Sequence, residues 1–216
     1  MILVVDNYDS FAYNLVQYVG AHAEVTVRRN DAIDVAGIRD LDPDGIVVSP
    51  GPGTPRQAGV SMDVFADLDY PTLGVCLGHQ ALCAANGVPV GQAPEIVHGK
   101  SSTIEHDGRG IFADLPERVE VGRYHSLAVE RGGLPDHLIE TAWTVDDRRI
   151  VMGVRHADRP HVGVQFHPES ILTDAGERMV ETFCTGCRDG TLLEGRRGGS
   201  APDRGGSAPD HGGSVQ

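Results

Sequence analysis

Short apolar runs and polar stretches alternate along the first half of the chain. "MILVV" (1–5), "AEVTV" (23–27), "GIVVS" (45–49) and "TLGV" (72–75) are rich in β-branched residues and predict buried strands. Between the first two, Phe11, Leu15, Val16 and Val19 recur at helical spacing, which predicts a helix behind a cap at Asp9 or Ser10. Strand, helix, strand at this rhythm implies an α/β fold with a parallel sheet covered on both faces. The second half carries more strand patterns: "RVEVG", "SLAVE", "LIETAW", "RIVMGVR" and "HVGVQF". A last helix is expected from Thr173 or Asp174, with Asp174 and Glu177 as a capping box and Met179, Val180 and Phe183 turned inward.

The pattern ends before the chain does. "GGSAPDR" (198–204) recurs as "GGSAPDH" (205–211), and "GGSVQ" closes the sequence. Such a segment has almost nothing to bury and cannot offset its ordering entropy. The expected organisation is one domain over 1–189 and a flexible Gly/Ser/Pro/Asp-rich tail over 190–216.

Composition narrows the setting. A chain of 216 residues, 40% hydrophobic, can bury one sizeable core. No apolar run approaches the roughly 20 residues of a spanning helix, and no signal-peptide pattern opens the chain, so a cytoplasmic protein is expected. The four cysteines, Cys76, Cys83, Cys184 and Cys187, fit a reducing compartment. Cys184 and Cys187 form a CxxC without a second pair, and are read as helix-face residues with no metal site. A net charge of −13 argues against nucleic-acid partners. Lys100 is the only lysine, and this acidic, Lys-poor composition suits a salt-rich interior. The expected outcome is greater resistance to unfolding in molar salt than in dilute buffer; equal stability in both would count against it.

Three stretches carry chemistry. In "PTLGVCLGHQAL" (71–82) a buried strand breaks at Cys76, flanked by Gly74 and Gly78. Small residues on both sides permit a strained strand-to-helix turn that lifts the side chain out of the sheet. The free N–H groups of the helix that follows favour a thiolate and a developing oxyanion. In "GVQFHPES" (163–170), His167 and Glu169 follow an apolar strand, and in an extended segment residues two apart project to one side. The carboxylate could then fix the imidazole tautomer. His98, His106 and His156 are read as solvent-facing. "SPGPGTP" (49–55) follows another strand; Gly51 and Gly53 leave room for a ligand near the backbone, and the Gly53 amide could pair with that of Leu77 as an oxyanion hole.

From residue 1 to about 187 the sequence resembles the triad-type, class I glutamine amidotransferases. Within that family it is most similar to the glutaminase subunits of anthranilate synthase, and next to those of 4-amino-4-deoxychorismate synthase. The motifs are "DNYDSFAYNLV", "VVSPGPGTP", "GVCLGHQAL", "GKSSTIEHDGRGIF", "RYHSL" and "GVQFHPESILT"; Ala12 replaces a bulkier residue, a minor departure. The resemblance implies a flavodoxin-like, doubly wound, mainly parallel sheet. It also implies Cys76 as nucleophile, His167 as base and acid, and Glu169 as its orienter. The glutamine pocket would comprise Gly51, Pro52, Gly53, Leu77, Gln80, Ser126 and Leu127. No cofactor is implied for this chain, with magnesium left to a large chorismate-binding partner subunit in a hetero-oligomer. Two rivals are a partner-free γ-glutamyl hydrolase on the same scaffold and a binding subunit without catalysis.

Overall fold

The computed structural model describes residues 1–93 and 99–192. The elements run β1 (Ile2–Asp6), α1 (Ala12–Gly20), β2 (Val25–Arg29), α2 (Val35–Leu41), β3 (Gly45–Val48), α3 (Ser61–Asp67), β4 (Thr72–Val75) and α4 (Leu77–Ala85). They continue as β5 (Val90–Gln92), β6 (Lys100–His106), β7 (Arg118–Arg123), β8 (Leu127–Val129), β9 (Leu138–Thr144), β10 (Val151–His156), β11 (His161–Val164) and α5 (Gly176–Asp189). Among the described residues nine strands form one sheet in the order β2-β1-β3-β4-β11-β10-β9-β6-β7, and β5 pairs with β8 apart from it. The first five strands in that order are mutually parallel; the other four join antiparallel. Counting β11 as the fifth, the parallel half has the flavodoxin-like order and is the expected α/β architecture.

Helices cover both faces. Leu15 and Val19 of α1 and Met179, Val180 and Phe183 of α5 pack on one side with Ile2, Val4, Val47 and Leu73. Ile38 of α2, Val64 and Phe65 of α3, and Ala81 and Leu82 of α4 pack on the other with Leu3, Val5 and Val48. Alternate residues of one strand thus serve opposite cores, which is why these strands read as continuous apolar runs. Among the described residues no helix is long and apolar enough to cross a membrane.

Several local expectations are corrected. β2 begins two residues late and is an edge strand, its last three residues exposed, because no strand among the described residues pairs beyond it. α1 starts at Ala12 with no side-chain cap; Asp9 instead accepts the Phe11 N–H at 2.6 Å, one step ahead of the helix. Phe11 and Val16 are half-buried, and Ala12 joins Leu15 and Val19 on the inner face. The Asp174/Glu177 capping box is absent, and α5 begins at Gly176. There the chain lies so close to Pro168 that a Cβ would come within 1.7 Å of its carbonyl oxygen. Cys184 and Cys187 are buried on the inner face of α5, and all four cysteines are free.

Packing continues past residue 189. Gly190 closes α5 in the left-handed conformation, the Thr191 N–H bonds Gly186 O, and Leu192 is buried in the core. The repeats at 198–216 lie outside the described residues. Deleting 193–216 is expected to leave the thermal midpoint and activity unchanged, whereas a cut after 189 also removes Leu192. Burying a leucine is worth about 2 kcal/mol, so the shorter chain should melt several degrees lower.

Candidate active site

In the parallel half of the sheet the register brings Val5 beside Val48, Val48 beside Gly74, and Val164 beside Val75. The residues that follow these strand ends, Asn7, Ser49, Cys76 and Gln165, therefore gather at one edge. Cys76 sits between β4 and α4 with φ +51° and ψ −97°, a conformation a non-glycine residue holds only under strain. The flanking glycines make this turn possible. A Cβ on Gly74 would come within 2.5 Å of the Gly78 carbonyl, and one on Gly78 within 2.3 Å of Val48 O. Strand and helix could not approach so closely with any side chain at either position. The turn leaves Cys76 7% exposed, at the head of α4.

His167 and Glu169 meet as expected but by a different route. Residues 168 and 169 form a turn, closed by Ser170 N–H to His167 O, and are not extended. Nδ1 of His167 lies 2.6 Å from Glu169 Oε1; a carboxylate only accepts, so Nδ1 carries the proton. The His167 backbone is held on both sides: its N–H donates to Gly122 O at 3.0 Å, and Thr173 Oγ1 donates to its carbonyl at 2.6 Å. Phe11 and Tyr124 stand edge-on to the ring at 5.7 and 5.1 Å between centroids. Burial alone would push the imidazole pKa down, yet Cys76 and the Glu169 carboxylate together raise it. The balance favours the protonated imidazole. Nε2 has no hydrogen-bond partner among the described residues.

The residues expected to bind substrate differ in their surroundings. Gln80 is buried one helical turn after Cys76, its N–H on Cys76 O at 3.0 Å and its Nε2 3.4 Å from Leu127 O. Ser126 is exposed, its carbonyl accepting the Ala93 N–H. Gly51 packs so tightly that a Cβ would lie 2.9 Å from a Leu77 methyl and 2.6 Å from Asn7 O. Pro52 and Gly53 are exposed, the latter at φ +81°.

Sequence reasoning missed what holds this loop. Asn7 donates its N–H to Ser49 Oγ and its side-chain amide to Ser49 O, while its Oδ1 accepts from Asn30 and Ser61. This buried network ties the ends of β1, β2 and β3 to the start of α3. Of the other histidines, one reading is corrected. His156 is buried, with its Nδ1 accepting from the N–H groups of Asp158 and Arg159, and His106 stacks on Phe112. His98 lies outside the described residues. His79, His125 and His161 are also buried.

A family model described as glutamine amidotransferase class-I matches residues 3–187. The anthranilate synthase component II of Haloarcula marismortui is 70% identical over 186 residues, covering 86% of this chain and 98% of that one. The aminodeoxychorismate synthase component 2 of Escherichia coli is 49% identical, covering 85% and 98%. A solved structure from Thermoplasma acidophilum, described as a candidate GMP synthase component, superposes with a TM-score of 0.79 at 26% identity, over 89% of this chain and 96% of that one. A thiol on a strained elbow beside a carboxylate-held imidazole, and a family match spanning nearly every described residue, agree: the chain belongs to the class I glutamine amidotransferases.

Proposed function

We propose that the protein is the glutaminase subunit of an anthranilate synthase, releasing ammonia from glutamine for a chorismate-using partner subunit in tryptophan biosynthesis, in the cytoplasm. The observation that carries the chemistry is the constellation of Cys76, His167 and Glu169 at one sheet edge. The pathway rests on the 70% identical relative and its name.

The Cys76 thiolate attacks the side-chain carbonyl carbon of glutamine. The oxyanion that forms is taken up by the Leu77 amide at the head of α4 and by the amide of Gly53. His167, protonated in the resting site, gives its Nε2 proton to the departing nitrogen, so ammonia leaves and a γ-glutamyl thioester remains. His167 then takes a proton from water, whose oxygen attacks the thioester; the C–S bond breaks and glutamate departs. Glu169 stays ionised and holds the ring tautomer. Gly51, Pro52, Gly53, Gln80, Ser126 and Leu127 form the pocket for the amino-acid end of glutamine.

The second reading, the same role in 4-amino-4-deoxychorismate synthesis, is favoured by the 49% identical relative. Glutamate release is measured with the chain alone, with an anthranilate synthase large subunit, and with an aminodeoxychorismate synthase large subunit. The expected result is slow hydrolysis alone and a rise in turnover, more than in glutamine affinity, with the first partner. Tyr8 after β1, Tyr13 at the start of α1 and Ile171 after Glu169 are exposed large side chains available for such docking. Activation only by the second partner would move the assignment to the folate pathway. Fast hydrolysis without any partner would favour a free-standing γ-glutamyl hydrolase.

A further inference from the structure

Gln165 is wholly buried, and the chemistry above does not use it. It follows β11 directly and lies beside Cys76, whose N–H donates to Val164 O at 2.8 Å. Its Nε2 stands 3.6 Å from Cys76 Sγ, and its Oε1 accepts from Gln80 Nε2 at 3.2 Å. The same Gln80 nitrogen faces Leu127 O. A backbone carbonyl only accepts, so Gln80 must turn its NH2 toward Leu127. That NH2 then meets Gln165 Oε1, which leaves the Gln165 NH2 at the sulfur. The polarity of the chain is thus fixed by one main-chain oxygen.

We infer that Gln165 is a positioning residue for the nucleophile: the chain from Leu127 through Gln80 to Gln165 presents a fixed N–H donor to Cys76 Sγ. A thiol gains little from such a donor, whereas a thiolate gains a charge-assisted bond in a site with almost no water to compete. The donor therefore favours the ionised sulfur and restricts where it points. His167, on another element, is coupled to the same sulfur electrostatically, so the Gln165 donor supplies the direct contact. The inference rests on the reading of Cys76 as nucleophile.

The test uses the full chain and the pH dependence of Cys76 alkylation by iodoacetamide, with Cys76→Ser as blank. Burial pushes the thiols of Cys83 and Cys184 up to about 12 and about 11, and that of Cys187 higher still, so alkylation near neutral pH reports Cys76. Gln165→Glu keeps the size and the acceptor for Gln80 but loses the donor; Gln165→Met keeps only the size. Both variants are expected to reach the half-maximal rate about one pH unit higher, and to alkylate about tenfold more slowly at any pH below the wild-type half-point. With glutamine, kcat should fall more than KM. A packing role alone would move the melting temperature but not the pH profile. If Gln165→Met fails to fold, Gln165→Leu takes its place, because a carboxylate at this position would itself act on the sulfur through its charge. A folded neutral variant with the wild-type alkylation profile would overturn the inference. A Cys76→Ser chain that hydrolyses glutamine normally would instead overturn the functional reading.

Discussion

Cys76→Ser is expected to lower glutamine-dependent synthesis by the complex on the order of 10⁴-fold or more, while synthesis from added ammonium salt stays near wild type. Serine keeps the shape of the elbow and the head of α4, but its hydroxyl does not ionise in response to the same imidazolium. No thioester forms, and nothing releases ammonia. Ammonia supplied from solution bypasses the step, since the acceptor is bound by the partner. Both activities are measured in one preparation by following product with glutamine or with ammonium salt at alkaline pH. Equal loss of both would mean that Cys76 serves assembly, and retention of both would remove it from the reaction.

The second large effect is on stability in acid. Burial lowers the pKa of His79, His125 and His161 to about 4 each, against an ordinary value of 6.5. Neighbouring charge adds to it: His125 acts on His79, Arg123 and His167 on His125, and Arg159 and His156 on His161, with Asp69 opposing weakly in the last case. Between about 4 and 6.5 the unfolded chain binds protons that the folded chain refuses, so stability falls as pH falls through that window. At pH 5 each histidine costs on the order of 2 kcal/mol, which for three of them is comparable to the whole stability of a typical domain. His167 works on the other side. Its raised pKa lends stability that is complete below 6.5 and is lost as pH rises toward its folded value. Urea midpoints at fixed salt should therefore peak near neutrality and collapse toward pH 5. His161→Leu should flatten the acid limb; an acid limb already flat in the wild type would show that these histidines are not buried neutral.

The parts of the site that were legible in the sequence are those where composition forces geometry. Glycines on both sides of Cys76 have one good use at a strand-to-helix junction, and the clash distances at Gly74 and Gly78 bear that use out. His167 and Glu169 were found by their place after an apolar strand, although a turn and not an extended backbone brings them together. Gln165 was passed over despite a usable signal. Val164 and Phe166 share one core, so alternation turns the residue between them toward the opposite face, where a buried amide needs partners. His156 was misread as solvent-facing because a histidine carries no sequence mark of its solvent exposure. Which strand lies at the sheet edge depends on the spatial order of strands, which chain order does not state; the arginines closing β2 were the available hint.

The left-handed backbone at Cys76 sets the interests of the fold against those of the reaction. Strain of this kind costs roughly 1–3 kcal/mol, and glycine, which adopts such angles without penalty, would relieve it at once. A population selected only for heat tolerance would therefore drift toward glycine at the one position where glycine is useless. The cysteine persists only as long as the organism needs the ammonia, which makes it a place where lost selection for function would show first.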